Sequence, residues 1–384
     1  MAATDTIRTE TPAVSVIIPA RNEELSLATC LESLIGQTGV AQDRVPFEII
    51  VVDDHSTDRT REIAESFATA NPGKLRVIEA GPLPDGWTGK NNAVTTGSRA
   101  THGEWLLFTD ADTVHLPGSL ARALKEAQDN NADMLSYSPE QIAVTFWEMA
   151  VLPVVFAELA RQYPPSKVSD PNSLAAAANG QYILVKREAY DAVGGHAAIA
   201  GDILEDVALA RAVKASGRTI RFRYAADAVR TRMYRNFRQL RDGWTKNLAL
   251  LFPHPLRLAG WTFLEFFTLL AFLESLIQML LFGKSYVPSN SALLAHYPLP
   301  VEYLPLFNNL MIAGTVAGLA YILLKSIWRT SKARFPLKFS FISLLGLPMF
   351  SYLLLRSVAA HRSGKVDWKG RTYSDKVSTL ATGH

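Results

Sequence analysis

The chain has 384 residues, which is long enough for more than one domain. Its 39 basic and 36 acidic residues leave a net charge of only +3, and this balance argues against a protein that binds nucleic acid through charge alone. One cysteine excludes an intramolecular disulfide, and the polar N-terminus lacks the apolar core of a secretory signal. We expect residues 1–12 to form a disordered leader.

Segments typical of strands and helices alternate over the first 250 residues. In chain order, the sequence predicts a strand at 14–20, a helix at about 23–37, a strand at 47–54, a helix ending near 69, a strand at 74–80, a helix from about 90, a strand at EWLLFTD, a helix at GSLARALKEAQ and a strand at ADMLSY. Strands joined by helical crossovers predict an α/β domain with a mostly parallel sheet and helices on both faces. We place this domain at residues 13–250.

Two pairs of aspartates directly follow predicted strands. Asp53 and Asp54 end the second strand, and Asp110 and Asp112 follow the strand EWLL. Ligands of open α/β sheets bind at the carboxyl ends of the strands, although each pair taken alone could equally cap a turn. In an extended segment, Asp110 and Asp112 point to the same side. Because Mg²⁺ and Mn²⁺ prefer carboxylate oxygens and share their shell with phosphates, this pair is a candidate metal site.

A further acidic pair lies in the segment GDILEDVALARAVKASG at 201–217, which predicts a helix. Glu205 and Asp206 fall in its first turn, where the helix dipole stabilises anions, so capping is one interpretation. The other is a general base that takes a proton from a substrate hydroxyl.

The segment at 230–247 is cationic and aromatic. Arginines recur every three residues and aromatic residues stand between them; these are Arg232, Arg235, Arg238, Arg241, Tyr234, Phe237 and Trp244. The pattern indicates either a basic surface helix near a membrane or a clamp on a diphosphate.

Three long apolar segments occupy the last third of the chain, at about 258–282, 304–324 and 339–355. A membrane span needs roughly 20 apolar residues, so we expect a membrane domain at 251–365 with two or three spans, followed by a basic tail at 366–384. The basic linker between the second and third segments should face the cytoplasm, and the α/β domain with it. Three full spans would place the tail on the other side, whereas a reversal at Gly346–Pro348 would keep it inside; we favour the reversal.

Six motifs, in this order, resemble those of the family-2 glycosyltransferases: VSVIIPARNEE, IIVVDDHSTDRT, TGKNNAVTTGSRA, LLFTDADT, NGQYILVKREAYDAVGG and LEDVALARAVKASG. The resemblance covers about Val14 to Leu250 and implies a nucleotide-sugar-binding, Rossmann-like fold of the type called GT-A. The loop LPDGWTGK, the segment RMYRNF with GWTKN, the apolar segments and the tail VDWKGRTY are similar to bacterial membrane enzymes of the hopene-associated and carotenoid-type group.

The resemblance implies a role for each matching position. Asp206 matches the catalytic base, preceded by Glu205. Asp112 matches a metal ligand, and Asp110 matches a residue that contacts ribose or sugar beside the metal. Asp54 matches the acid that contacts the uracil edge. The other implied donor-binding residues are Pro19, Ala20, Arg21, Glu23, Asp53 and Lys90.

Processive members of the family carry a Q-x-x-R-W motif near the membrane. The related region here reads RQLRDGW, with Arg238 in the glutamine position and two residues between Arg241 and Trp244. This departure argues against a processive polysaccharide synthase. The resemblance still implies that Arg238, Arg241 and Trp244 contribute to binding the donor.

The function that the resemblance implies is inverting transfer of a hexose from a nucleotide-diphosphate sugar, with a UDP-sugar as the expected donor and Mg²⁺ or Mn²⁺ as the metal. The expected acceptor is a hydroxyl or carboxyl group of a membrane lipid of hopanoid, carotenoid or glycerolipid type. We expect a multi-pass protein of the cell (inner) membrane with its catalytic domain in the cytoplasm and no nucleic-acid partner. The alternatives are a processive synthase, a nucleotidyltransferase and a non-catalytic, membrane-anchored nucleotide-sugar-binding protein; the segment PARNEE is not the Gly/Arg-rich loop that a nucleotidyltransferase needs.

Overall fold

The computed structural model describes residues 12–37, 45–282, 304–364 and 366–373. The predicted leader, apart from residue 12, and the part of the predicted tail after residue 373 lie outside this range. The chain divides into two compact units. The sheet unit draws on Met1–Ile142, Arg161–Arg235 and Gly364–Ser378, and the helical unit on Ala143–Ala160 and Asn236–Ser363.

The strands of the sheet unit are β1 (Val14–Ala20), β2 (Phe47–Asp53), β3 (Leu75–Glu79), β4 (Trp105–Phe108), β5 (Thr113–His115), β6 (Met134–Ser138), β7 (Glu140–Gln141), β8 (Ile183–Lys186), β9 (Ile220–Tyr224), β10 (Val229–Thr231), β11 (Val366–Trp368) and β12 (Arg371–Tyr373). Seven of them form one sheet in the order β3-β2-β1-β4-β8-β6-β9. Only β8 runs antiparallel to its neighbours within this sheet, so the predicted mostly parallel sheet is confirmed.

The helices of the described chain are α1 (Leu27–Ile35), α2 (Thr60–Ala70), α3 (Gly89–Arg99), α4 (Ser119–Asp129), α5 (Phe146–Gln162), α6 (Pro165–Val168), α7 (Arg187–Ala192), α8 (Gly195–Ala198), α9 (Glu205–Ala215), α10 (Phe237–Leu251), α11 (Pro255–Phe282), α12 (Leu304–Lys332) and α13 (Phe339–Arg362). Within the sheet unit, helices cover both faces of the sheet. Along β1, Val16 and Ile18 enter one apolar core and Ile17 enters the other, which is why this strand is a continuous apolar run.

The parallel strands β1, β2 and β4 bring the predicted acids to one edge. Ala20 lies opposite Asp53 in the β1–β2 register, and Ile17 lies opposite Phe108 in the β1–β4 register. The residues that follow these strands, including Arg21, Asp54 and Asp110, therefore share the carboxyl edge of the sheet.

A small hairpin lies where the sequence predicts only a basic tail. β11 and β12 pair antiparallel, with Trp368 opposite Arg371. Lys369 and Gly370 form the two-residue turn, with φ of 46° and 76°. Two successive residues with positive φ are typical of the tight turns that suit a twisted hairpin.

Among the described residues of the helical unit, three helices are long and apolar enough to cross a membrane, over Pro255–Leu281, Asn309–Lys332 and Phe339–Arg362. α12 extends beyond the predicted end at 324, so Lys325 and Arg329 lie on the helix and not in the linker. The physical reason is their pairing with Glu265 of α11, at 2.8 Å from Lys325 and 2.9 Å from Arg329. This pairing compensates charges that are costly in an apolar environment.

The expected reversal at Gly346–Pro348 is wrong, because α13 is a continuous helix that contains Pro348. At Gly346 this helix lies so close to the backbone of Ala150 in α5 that a Cβ atom would overlap it. α13 is also the most enclosed of the three apolar helices. In its apolar 18-residue stretch 56% is buried within the protein, against 6% for α11 and 17% for α12.

Candidate active site

Lys90 connects two of the acidic motifs that the sequence singles out. Its Nζ lies 2.7 Å from Oδ1 of Asp110, after β4, and 2.6 Å from Oε1 of Glu205, in the first turn of α9. Burial alone would lower the pKa of Lys90, but the Asp110 and Glu205 carboxylates hold this pKa well above its ordinary value. The ammonium therefore stays charged and keeps the two carboxylates together.

The start of α3 fixes the position of Lys90. The Thr88 side chain caps the helix by accepting a hydrogen bond from the Asn91 amide. The buried Asn91 side chain donates to the backbone oxygens of Ile199, Ala200 and Asp202, at 2.8, 2.9 and 3.1 Å. These bonds tie α3 to the loop before α9, so Lys90 and Glu205 are held on elements that are themselves joined.

Asp206 lies beside this ion-pair cluster. Its Oδ2 accepts a hydrogen bond from the Gly180 amide at 2.9 Å, and its Oδ1 accepts one from the Val207 amide at 2.8 Å. Burial and then the neighbouring Glu205 charge raise the pKa of Asp206 from 3.8 to about 6, in spite of the Lys90 cation. A carboxylate with such a pKa suits a general base that works near neutral pH.

Gly180 is a site residue that the sequence reasoning missed as a partner of Asp206. A Cβ at this position would lie 3.1 Å from Nζ of Lys90 and 3.2 Å from Oε1 of Glu205. Glycine therefore lets the NGQY turn approach the acids closely enough for its amide to reach Asp206. The signals in the sequence were the asparagine–glycine pair, which is typical of a turn, and the position of this pair at the start of the motif NGQYILVKREAYDAVGG.

Asp110 and Asp112 lie in a turn between β4 and β5, and not in the extended segment that would point them to one side. The Thr113 amide closes this turn by donating to the backbone oxygen of Asp110 at 3.2 Å. Asp110 faces Lys90, as described above. The extended backbone assumed for this pair is therefore wrong, because the chain turns between the strands.

Asp112 has the features of a cation ligand. Its Oδ1 is buried and has no hydrogen-bond partner among the described residues. Burial, then the Asp110 charge and then the Glu23 charge raise the pKa of Asp112 to about 7. A buried carboxylate oxygen without a donor fits a hard cation such as Mg²⁺ or Mn²⁺. The described residues contain no cluster of three or more His, Cys, Asp or Glu able to hold a metal, so a donor diphosphate and water would supply the other ligands.

The loops after β1 and β2 form the other end of the acidic edge. Arg21 donates from Nη1 to the backbone oxygen of Asp54 at 2.6 Å, and Asp53 accepts the Ser56 amide at 3.3 Å. Glu23 and Asp54 each pair with a cation of the C-terminal hairpin, Lys369 and Arg371 respectively. Sequence reasoning missed both cations, because a short basic tail carries no periodic signal.

Pro19 and Ala20 contribute through the backbone of β1. The buried Ala20 side chain enters the core, and its backbone oxygen accepts the Asp54 amide at 2.8 Å. Pro19 pairs in register with Val52 of β2. Both residues belong to the strand end that precedes Arg21 and Glu23, and their contact with the donor stays a prediction.

Arg238, Arg241 and Trp244 lie on α10 in the helical unit. Nε of Arg241 is 2.8 Å from Asp242, Arg238 is exposed, and Trp244 is buried against Phe156 with ring centroids 6.0 Å apart. Trp244 is thus a packing residue within this unit. The contribution of the three residues to donor binding stays a prediction.

Comparison with known proteins agrees with the motifs. The family described as "Glycosyl transferase family 2" matches residues 15–194. The 4,4'-diaponeurosporenoate glycosyltransferase of Staphylococcus aureus (strain N315) is 28% identical over 397 residues, covering 97% of this chain and 91% of that protein. The protein of the same name from strain MRSA252 is 30% identical over 250 residues, covering 62% and 61%.

A solved mannosyltransferase from Pyrobaculum calidifontis, in complex with GDP-Man and Mn²⁺, is 18% identical and covers 92% of this chain and 87% of that chain. The TM-score between the two structures is 0.49. The family match contains the strand-end acids after β1, β2 and β4 together with Lys90 and Gly180. Residues 15–194 therefore match glycosyl transferase family 2, and the chain is similar to a named glycosyltransferase over 97% of its length.

Proposed function

We propose that the protein transfers a hexose from a UDP-sugar to a membrane lipid with inversion at the anomeric carbon. The observation that carries this proposal is Asp206, a carboxylate with a raised pKa beside the Lys90, Glu205 and Asp110 cluster. The Staphylococcus aureus relative that matches 97% of this chain is named a 4,4'-diaponeurosporenoate glycosyltransferase. This name supports a carotenoid-type or other long apolar acceptor.

The residues of the chain have separate tasks in this reaction. Asp206 takes the proton from an acceptor hydroxyl while the oxygen of that hydroxyl attacks the anomeric carbon. The bond from this carbon to the diphosphate breaks in the same step, so the sugar passes directly from donor to acceptor. The Gly180 amide and Glu205, itself held by Lys90, fix the geometry and charge of that base. Asp112 and Asp110 would hold the divalent cation, which when bound neutralises charge on the departing diphosphate.

The nature of the acceptor decides how much Asp206 contributes. A lipid hydroxyl needs a base because its own proton is held tightly, whereas a lipid carboxyl group is already ionised near neutral pH. The arrangement around Asp206 therefore favours a hydroxyl acceptor. A carboxylate acceptor could react without the base and would use the same donor site.

The experiment that tests the function is a transfer assay with purified protein in lipid nanodiscs. UDP-glucose, UDP-galactose, UDP-N-acetylglucosamine, UDP-glucuronic acid and GDP-mannose would each be combined with a carotenoid acid, a hopanoid alcohol and a diacylglycerol. We expect one UDP-sugar to be consumed with formation of a singly glycosylated lipid. A polymeric product would support the processive alternative, and donor binding without turnover in every combination would support a non-catalytic protein.

We also propose that the chain crosses the membrane twice, with the sheet unit in the cytoplasm. Lys369 and Arg371 follow all three apolar helices, yet they bond to Arg21 and Asp54 of the sheet unit. Residues on both sides of the three helices therefore lie on one side of a membrane, which requires an even number of crossings. Because α11 and α12 leave most of their apolar surface exposed, they are the proposed spans, and the more enclosed α13 is proposed not to cross.

Cysteine labelling in intact cells measures this topology. The single native Cys30 is fully buried, so the parent protein provides an unlabelled background. We expect a membrane-impermeant maleimide to label Ser289→Cys, between α11 and α12, and to label Ser378→Cys only after the cells are permeabilised. Labelling of both positions in intact cells would show that all three helices cross, and would contradict the docking of the hairpin on the sheet unit.

A further inference from the structure

The hairpin of β11 and β12 places two cations at the acidic edge of the sheet. Arg371 reaches both carboxylate oxygens of Asp54, at 2.5 and 2.9 Å. This bidentate geometry is the strong form of an arginine–carboxylate pair. The Asp54 side chain is only 6% exposed, so the pair is largely shielded from water.

Lys369 fixes the turn of the hairpin to the loop after β1. Its Nζ pairs with Glu23 and donates to the backbone oxygen of Arg21 at 2.9 Å. In return, Nε of Arg21 donates to the backbone oxygen of Lys369 at 3.1 Å. The turn is therefore held by side chains and backbone from both partners.

The surroundings of the turn connect it with the rest of the site. A Cβ on Gly89, the first residue of α3, would overlap the Arg371 guanidinium, so this glycine leaves the space that Arg371 occupies. Lys90 is the next residue along the chain. On the other side, the Lys369 charge lowers the pKa of Asp112, against the larger effects that raise it. Arg371 thus lies beside Asp54, where the nucleoside is expected, and Lys369 lies close enough to Asp112, the expected metal ligand, to affect its pKa.

The charges at this edge explain why cations are needed there. The carboxylates placed along it are Glu23, Asp53, Asp54, Asp110, Asp112, Glu205 and Asp206. Outside the hairpin, Arg21 donates to the backbone oxygen of Asp54, and Lys90 pairs with Asp110 and Glu205. A nucleoside diphosphate is itself an anion, so uncompensated carboxylates would repel it.

We propose that Lys369 and Arg371 complete the donor site, binding the nucleoside diphosphate part of the donor. This inference rests on the proposed function and deepens it by assigning donor contacts to a segment after the last apolar helix. Arg371 neutralises Asp54 and orients its carboxylate towards the nucleobase of the donor. Lys369 brings a positive charge towards the diphosphate of the donor, beside Asp112. The hairpin is then a cover of the donor site and not merely a tail.

Nucleotide binding by the full chain tests the proposal without depending on turnover. Isothermal titration with UDP and Mn²⁺ would compare the wild type with Arg371→Met, Lys369→Met and Arg371→Lys, all in detergent. We expect the UDP dissociation constant to rise at least about tenfold in each methionine variant, an effect of about 1.4 kcal/mol. Arg371→Lys should recover only part of the loss, because lysine cannot form the bidentate contact.

Matched controls separate the hairpin from other changes. Lys125→Met removes an exposed cation that pairs with Asp129 on α4, and it should leave UDP binding unchanged. A chain ending at residue 373 retains the hairpin and should bind as the wild type does, whereas a chain ending at residue 364 should bind as weakly as Arg371→Met. Thermal unfolding checks that each variant is folded, and Lys369→Met serves as the test if Arg371→Met is not.

Three results would overturn the proposal. Equal UDP binding by the wild type and the folded methionine variants would make the hairpin a structural element only. Tighter UDP binding after removal of the hairpin would mean that it blocks the site. If the wild type bound neither UDP nor GDP at millimolar concentration, the proposed donor itself would fail, and the inference with it.

Discussion

Replacing Asp206 with asparagine should lower sugar transfer to a lipid hydroxyl by about 10²- to 10⁴-fold, the usual contribution of a general base. Asparagine has almost the same shape, but it cannot accept a proton from the acceptor. Its single amide oxygen can also satisfy only one of the two backbone amides, of Gly180 and Val207, that Asp206 binds with separate oxygens. UDP binding should change little, because the donor-binding residues are untouched.

The control for this prediction is Asp202→Asn, in the same segment before α9 but outside the cluster around Lys90. It should retain nearly full transfer activity. With a carboxylate acceptor, the loss caused by Asp206→Asn should shrink to about tenfold or less, because such an acceptor is already ionised. Undiminished transfer to a hydroxyl acceptor by Asp206→Asn would show that the general-base assignment is wrong.

The pH dependence of the wild type follows from the same carboxylate. The groups that act on Asp206 are Glu205, Lys90 and the amides of Gly180 and Val207, and burial and the charge of Asp206 in turn raise the pKa of Tyr163. A base must be deprotonated, so transfer to a hydroxyl should fall as the pH drops below about 6, the raised pKa of Asp206. This acid limb should be absent from the residual activity of Asp206→Asn.

The raised pKa of Asp206 also makes the stability of the folded protein depend on pH. The folded state holds the Asp206 proton more tightly than the unfolded chain does, so its contribution to stability is complete below the unfolded pKa of about 4 and is lost as the pH rises through about 6. At pH 7.5, Asp206→Asn removes a buried charge but also loses one of the two amide hydrogen bonds, and these effects on stability have opposite signs. We therefore expect its unfolding temperature to stay within about 5 °C of the wild type, so that a large loss of activity separates a role in the reaction from a role in folding.

Replacing Asp112 with asparagine, or removing divalent metal, should also lower transfer by at least about 10²-fold, because a bound cation contributes several kcal/mol to stabilising the leaving diphosphate. Asp112 offers a buried oxygen without a hydrogen-bond partner among the described residues, and the amide group of asparagine carries no charge to hold the ion. The measurement is transfer activity after dialysis against EDTA, followed by titration with Mn²⁺ or Mg²⁺.

The wild type should recover its activity on titration, and Asp112→Asn should require a much higher metal concentration or fail to recover. Asp129→Asn, at an exposed position on α4, should behave like the wild type. Full activity in EDTA would remove the metal from the account and leave the cations Lys90, Lys369 and Arg371 to neutralise the diphosphate.

Local sequence signals were sufficient to place the acids. Apolar runs indicated the strands, and the rule that ligands bind at the carboxyl ends of parallel strands selected Asp53, Asp54, Asp110 and Asp112. These features could be predicted because each depends on a short segment and on a general property of α/β sheets.

Contacts between distant segments could not be predicted in this way. Arg371 and Asp54 are 317 residues apart, and nothing in a short basic tail indicates that its turn pairs with a strand end. The pairing of Glu265 of α11 with Arg329 of α12 could not be predicted for the same reason. Arg329 was therefore assigned to a basic linker, whereas it lies on the helix. The continuous course of α13 through Pro348 depends on close packing against α5, which no local pattern of α13 reveals.

The most direct test of the central claim is the anomeric configuration of the product, determined by nuclear magnetic resonance after transfer from an α-linked UDP-sugar. Direct attack by an acceptor activated by Asp206 predicts a β-linked glycolipid. An α-linked product would contradict this account, because it would require either two successive displacements or attack from the face of the departing diphosphate.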